Sequence, residues 1–290
     1  MNFRKFTFIL FIAVLCSFLF SCELINPPEA VPSYIHIDTF HLSGSYDSFG
    51  SISHRITDAW VVIDNQVIGV FELPATFPVL ALGNHKMIIQ AGVIENGISN
   101  TRTSYPFYEA LILDNYFFEE LVVDTINPKI HYKKTNMNLA LNEDFESANL
   151  DFDQSASSNA ALTRTSEKSL VFEGNYSLEA ILEQTNDLLE MVSENAYNIP
   201  RGKAVFLEMN YKTDIEFAVG YFALSATNSK QHPVLYLNPS KEWKKVYVNF
   251  GTEIAYEGLT DIFKIFVGSI NSTTDTAKIY LDNLKLLWLE

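Results

Sequence analysis

The sequence predicts an all-β protein in two successive strand-rich regions, and three observations carry that. Phe (22 residues) and Tyr (14) are abundant beside Val and Ile runs and many Asn, Ser and Thr residues. Such a composition suits pleated, half-buried strands separated by turns. In the second half, Val205, Leu207, Met209 and Tyr211 alternate with more polar positions. Val246, Val248 and Phe250 do the same against Lys245, Tyr247 and Asn249. That is the period of half-buried antiparallel strands. Between the two β-rich regions lies a polar, basic, Asn-rich stretch over 127–142. No self-similarity at a period of about 20–50 residues is visible, which argues against a solenoid or propeller.

Taken in order, residues 1–21 open with a positive segment, Arg4-Lys5, and an apolar run from Phe6 to Phe20. The run is too short for a spanning helix, which needs about 20 apolar residues, and has the form of a signal peptide. It ends in Leu19-Phe20-Ser21-Cys22. This resembles the bacterial lipobox, and the resemblance implies cleavage before Cys22 and lipidation of its thiol by palmitate-type chains. Cys16 leaves with the leader, so the mature chain has one cysteine, with no disulfide and no thiol chemistry. Residues 22–32 form a lipidated tether rich in proline, which favours an extended course of about 3.1 Å per residue and keeps the first folded unit near the bilayer.

The first domain, 33–130, carries short strand patterns. Ala59–Asp64 and Val67–Glu72 flank Asn65-Gln66, a spacing that predicts a tight hairpin. Gly83-Asn84-His85 leads into an apolar strand to Val93, and Glu95-Asn96-Gly97 turns the chain. With Val61–Asp64, Ile68-Gly69 and Leu73-Pro74, these pieces resemble a PEGA-like or immunoglobulin-like small sandwich.

The second domain, 139–290, opens at Asn142–Glu146. It continues through Phe172–Ala180 and Trp243–Phe250 and ends in Lys278–Leu286. Together these segments resemble the galactose-binding-domain-like jelly roll of many carbohydrate-binding modules. The fold class expected is therefore all-β: a small immunoglobulin-like sandwich followed by a larger antiparallel jelly roll. The whole resembles a Bacteroidetes-type outer-membrane lipoprotein, with the membrane face left open. Asp124-Thr125-Ile126 and Asp275-Thr276-Ala277 agree with export in such bacteria, as three-residue O-glycosylation patterns.

Removing the leader takes Arg4 and Lys5 from the 20 basic residues and none of the 35 acidic ones, leaving a net charge of −17. Such a chain does not bind nucleic acid through phosphates. The jelly-roll resemblance implies a structural calcium held by Glu146 and Asp282, with the Glu173–Ser177 turn supplying backbone oxygens. Calcium takes six to eight oxygen ligands. The densest aromatic region runs from Tyr105-Pro106-Phe107-Tyr108 to Tyr116-Phe117-Phe118; first-domain core is the leading assignment, and a partner surface at Tyr116, Phe117 and Phe118 is the alternative. Trp60 and Trp288 are expected in cores and Trp243 under a loop. Tyr221, Tyr236 and Tyr247 lie on strands whose faces the sequence does not fix. Catalytic signatures are weak: Glu208 and Glu216 are a pair of carboxylates without a fixed separation. Two functions follow. The first is a non-catalytic scaffold or accessory lipoprotein docked on an integral outer-membrane protein. The alternative is a surface lipoprotein that captures a glycan with its jelly roll.

Overall fold

The computed structural model describes residues 29–290. The leader, Cys22 and most of the tether lie outside the described residues. Among the described residues the regular secondary structure is strand, apart from two four-residue helical turns, α1 (Tyr46–Phe49) and α2 (Gly251–Ile254). No helix among the described residues is long and apolar enough to cross a membrane.

The first sandwich pairs a five-stranded sheet with smaller ones. The larger sheet runs β4 (Gln66–Glu72), β3 (Ile56–Ile63), β6 (Gly83–Ile94) and β7 (Arg102–Ser104), with β8 (Leu111–Phe118) also on β6. Opposite it, β1 (Ser33–Ile37) lies between β5 (Ala75–Val79) and β9 (Val123–Thr125), and β2 (His41–Ser43) pairs with β10 (Lys129–His131). The pairs β1–β9 and β2–β10 are parallel. The hairpin forms, but its turn is Asp64-Asn65, one residue earlier than the spacing suggested. Ile63 pairs with Gln66, and both turn residues sit at positive φ (46° and 66°). Asp and Asn tolerate that region and Gln does not, which moves the register.

The second sandwich is antiparallel throughout. One sheet runs β13 (Ala161–Thr165), β14 (Ser177–Leu182), β21 (Ala277–Leu289), β16 (Val205–Thr213) and β19 (Ser240–Asn249), with β11 (Met137–Glu143) beside the last half of β21. The other runs β12 (Phe152–Gln154), β15 (Leu188–Ser193), β20 (Ile262–Ile270), β17 (Phe217–Leu224) and β18 (Ser229–Leu237). Val205, Leu207, Met209, Tyr211, Val246, Val248 and Phe250 all enter the core between these sheets. Trp288 joins that core, and Trp243 packs on Phe172 with ring centroids 5.4 Å apart. Trp60 departs from expectation: it alternates with the core residues Ala59 and Val61, so its ring lies half-buried on the outer face of β3.

The alternation in β16 does not leave its second face wet. Phe206, Glu208 and Asn210 are buried against the first sandwich, as are Tyr247 on β19 and Lys285 and Leu287 on β21. Phe206, Tyr247 and Leu287 belong to the first sandwich's apolar core. The backbone continues across the seam: Asn96 N donates to Tyr247 O at 2.8 Å and Asn249 N to Asn96 Oδ1 at 2.8 Å. A strand buried on both faces needs partners for its polar side chains, and the seam supplies them.

Candidate functional site

The outer face of the β12–β15–β20–β17–β18 sheet forms an open groove. Core positions on these strands are Leu189, Met191, Phe217, Val219, Tyr221, Phe263, Ile265 and Val267. Strand pleating therefore turns Glu190, Ala218, Gly268 and Tyr236 outward. The register aligns those four in one row: Glu190 opposite Gly268, Gly268 opposite Ala218, Ala218 opposite Tyr236. Large residues stand at the ends and the two smallest lie between, which leaves a trough. Its volume is about 550 Å³, and its lining also includes Gln231, Pro233, Phe266 and Ile270.

The next row deepens it. Phe266 lies opposite Gly220, which lies opposite Pro233. Phe266 points away from the core yet is only 1% exposed, its ring lying beside Gly220 and Gly268 and 5.3 Å from the Phe222 ring. A Cβ on Gly220 would sit 2.1 Å from His232 O and 2.7 Å from the Phe266 ring. Only glycine permits this approach of β18. Gln231 Nε2 donates to Glu190 Oε2 at 3.0 Å although β17 and β20 run between their strands. Glu190 thus holds an amide at one oxygen, and Ser157 Oγ donates to the other at 3.4 Å. Tyr236, 57% exposed, is the aromatic ring offered to solvent at the far wall. A row of coplanar aromatics is not formed among the described residues. The trough offers an apolar floor, one aromatic face, and a carboxylate and an amide that accept and donate hydrogen bonds.

Glu208 is not part of any such site. It is fully buried in the seam, accepts from Tyr105 Oη at 2.7 Å and Tyr132 Oη at 2.9 Å, and pairs with Lys245 Nζ at 2.9 Å. Burial alone would raise its pKa, but the Lys245 and Lys285 ammonium groups outweigh that and hold the carboxyl below its usual range. Desolvation pulls Lys285 down to about 8. Glu216 is exposed at the groove while Glu208 is buried in the seam, so the two carboxylates do not form a hydrolytic pair.

The calcium expectation meets the wrong polarity. Glu146 Oε1 accepts from the backbone N–H groups of Asn175 (2.6 Å) and Tyr176 (2.9 Å). Asp282 accepts from Ser177 Oγ (2.6 Å), Glu173 N (3.3 Å) and Asn283 N (2.8 Å). The turn thus brings both residues to its two sides but presents donors where a cation needs oxygens. Among the described residues no group of three or more His, Cys, Asp or Glu is placed to hold a metal ion. These residues do not fit calcium. Burial pushes Asp282 up to about 7.

The aromatic segment divides by pleat. Phe118 is 2% exposed and in the core, Tyr116 is half-buried and donates to Asp124, and Phe117 is 62% exposed. A three-residue aromatic surface does not exist; one ring faces out. Sequence inspection missed the groove because its row draws on four separated strands. Isolated glycines inside the apolar strands, Gly220 and Gly268, were the available signal.

No family model matches the sequence, and no curated protein matches it. Among solved structures, the chain is similar to a carbohydrate-binding module of the β-sandwich superfamily studied for promiscuous specificity. Identity is 14% over 91% of this chain and 100% of that one, with a TM-score of 0.41. It is also similar to the family 11 carbohydrate-binding module of the cellulosomal cellulase Lic26A-Cel5E of Clostridium thermocellum, at 18% identity, 53% and 95% coverage and a TM-score of 0.37. A third is the xylan-binding domain from CBM 22, at 12% identity, 53% and 96% coverage and a TM-score of 0.36. With identities under 25% and TM-scores under 0.5, these likenesses assign nothing to this chain.

Proposed function

We propose that the chain is a non-catalytic glycan-binding lipoprotein, anchored to the outer membrane through Cys22, that captures a polysaccharide segment in the groove of its second sandwich. The observation that carries the reading is the row Glu190–Gly268–Ala218–Tyr236. A sugar ring has an apolar face of C–H groups and an equatorial belt of hydroxyls. The exposed Tyr236 ring suits the first. The Glu190 carboxylate and Gln231 amide suit the second, because together they accept from and donate to neighbouring hydroxyls. The floor of Gly268 and Ala218 leaves room for the ring between them. An open trough admits the interior of a chain, where an enclosed pocket would admit only its end. Of Tyr116, Phe117 and Phe118, the aromatic part of the support for a scaffold role, only Phe117 is free to meet a partner.

Affinity electrophoresis and calorimetry against soluble polysaccharides and their oligosaccharides test the proposal. Saturable binding is expected, lost in Tyr236→Ala and in Gly268→Phe. The second variant is a clean block: a Cβ at 268 meets only ordinary contacts of 3.4 Å and beyond, so the backbone accepts it while the ring fills the trough. Binding that survives both variants, or a panel without any saturable ligand, removes the groove as the site. Metabolic labelling with palmitate and membrane fractionation of Cys22→Ser test the anchor separately.

A further inference from the structure

We propose that one end of the first sandwich is a bilayer-contacting surface, in which Leu80, Leu82, Phe117, Leu121, Val122 and Val123 rest against zwitterionic lipid. The inference rests on the lipid-anchor reading above and adds to it a second, non-covalent contact. All six side chains are exposed. The strand ends bring them together. Ser33 pairs with Val79, immediately before Leu80, and Leu121 N donates to Pro32 O at 3.0 Å on the other side. Tyr34 N donates to Val122 O at 2.8 Å. Gly83, immediately after Leu82, pairs with Phe118, and Phe117 lines one small cleft with Ser33 and Val122. The patch therefore surrounds Pro32, the point where the chain arrives from Cys22.

That arrival point is what identifies the occupant. Pro32 lies ten residues beyond Cys22, and those ten steps fully extended span at most about 35 Å. Once the thiol carries lipid, this end of the molecule is held within that distance of the headgroups. Contiguous exposed apolar side chains of this kind mark an interaction surface. Backbone geometry gives an independent sign. Leu121 sits at φ 60°, a region that disfavours large side chains, and it is 71% exposed. Glycine or asparagine would relieve the strain and remove an apolar group from water, yet leucine stands there. Strain held at an exposed position points to use of the side chain.

Charge selects the lipid class. The cations at this end are engaged: Lys86 pairs with Asp114 at 2.7 Å and His85 pairs with Asp64 at 2.5 Å. Glu119 and Glu120 are exposed beside the patch. Contact at this end therefore rests on apolar insertion among zwitterionic headgroups rather than on attraction to anionic lipid.

The test does not depend on lipidation in the cell. From residue 22 onward Cys22 is the sole thiol. It couples the mature chain to a maleimide lipid in phosphatidylcholine–phosphatidylethanolamine vesicles whose acyl chains are brominated. Phe117→Trp then reports insertion through bromine quenching, and Tyr256→Trp, 87% exposed on the second sandwich, is the control. Quenching of the introduced indole is expected in the Phe117→Trp variant and not in the Tyr256→Trp control. The vesicle affinity of the uncoupled chain is expected to fall at least tenfold in Leu121→Ser/Val123→Ser. Equal quenching in both variants, or none in Phe117→Trp, overturns the proposal. So does a tenfold gain on adding anionic lipid, and so does a stable dimer that buries Phe117. Loss of palmitate labelling with normal quenching refutes the anchor alone.

Discussion

Replacing Glu208 by Ala should cost far more than an exposed carboxylate would, because of what surrounds it. The carboxylate is fully buried between the ammonium groups of Lys245 and Lys285, themselves 7% and 0% exposed, and it accepts from Tyr105 and Tyr132. Removing one partner of a buried pair typically destabilises by about 3–5 kcal/mol. Each stranded hydroxyl adds about 1–3 kcal/mol taken singly, but groups in one network do not add. The expected loss is about 4 kcal/mol, or about 10 °C in melting temperature for a chain of this size. Urea unfolding at pH 7, followed by tryptophan fluorescence and circular dichroism, measures it. Since Phe206, Tyr247 and Leu287 share the first sandwich's core, the parent protein should unfold in one transition. The pH dependence has a definite sign. The folded Lys285 pKa is depressed to about 8, so between about pH 8 and 10 the unfolded state binds more protons and stability rises with pH. Glu208→Ala should extend that rise to lower pH, because Lys285 then sheds its proton more readily. Two separate transitions in the parent, or a loss below about 1 kcal/mol, refutes the seam as the coupling element.

Other outcomes follow from single features. Asp282 has a folded pKa raised to about 7, so its contribution is present at about pH 4 and lost as pH rises through 7. Asp282→Asn should flatten that part of the stability profile, read from urea midpoints. Chelator should leave the melting temperature unchanged, because Glu146 and Asp282 face donors; a drop of several degrees would restore the calcium reading. Gly220→Ala forces a Cβ against His232 O and should destabilise by about 1–3 kcal/mol while weakening glycan capture through Phe266 and Pro233. Leu121→Gly relieves an exposed left-handed leucine and should stabilise by about 1 kcal/mol while weakening vesicle contact.

The strands were legible because their alternation is local, whereas the partner of each face is not. Residues 205–211 announced a strand with one apolar side, and that side is indeed core. Nothing local told that Phe206, Glu208 and Asn210 face a second sandwich rather than water. Glu208 gave no local sign of its burial, because its compensating groups arrive from positions 105, 132, 245 and 285. Phe117 and Phe118 differ by one residue and by sixty percentage points of exposure. Pleat alone separates them once the strand is known, but the sequence does not say which phase is inward in a run of consecutive aromatics. The groove was least legible of all. Its row exists only after β15, β20, β17 and β18 are placed side by side in register.

Placement of the two proposed surfaces leads to a last expectation. Strand β6 begins at Gly83, in the apolar end, and finishes at Ile94, where Glu95 and Asn96 attach to β19. Its twelve residues span about 40 Å at strand rise. With lipid at the apolar end, as proposed, the first sandwich would be a spacer between lipid and seam. The seam lies on the outer face of the β16–β21 sheet, and the groove lies on the outer face of the opposite sheet. The groove thus faces away from the spacer, with two sheet layers between. A bilayer under the apolar end should not obstruct a long polysaccharide in the trough. Vesicle-coupled chain should bind a soluble polysaccharide within about twofold of the uncoupled chain, measured by competitive retention of labelled ligand. Glu208→Ala loosens the seam and should weaken binding only in the coupled state, where a tilted second sandwich meets the membrane. A tenfold loss on coupling the parent protein would show that the groove opens toward the bilayer and would refute this arrangement.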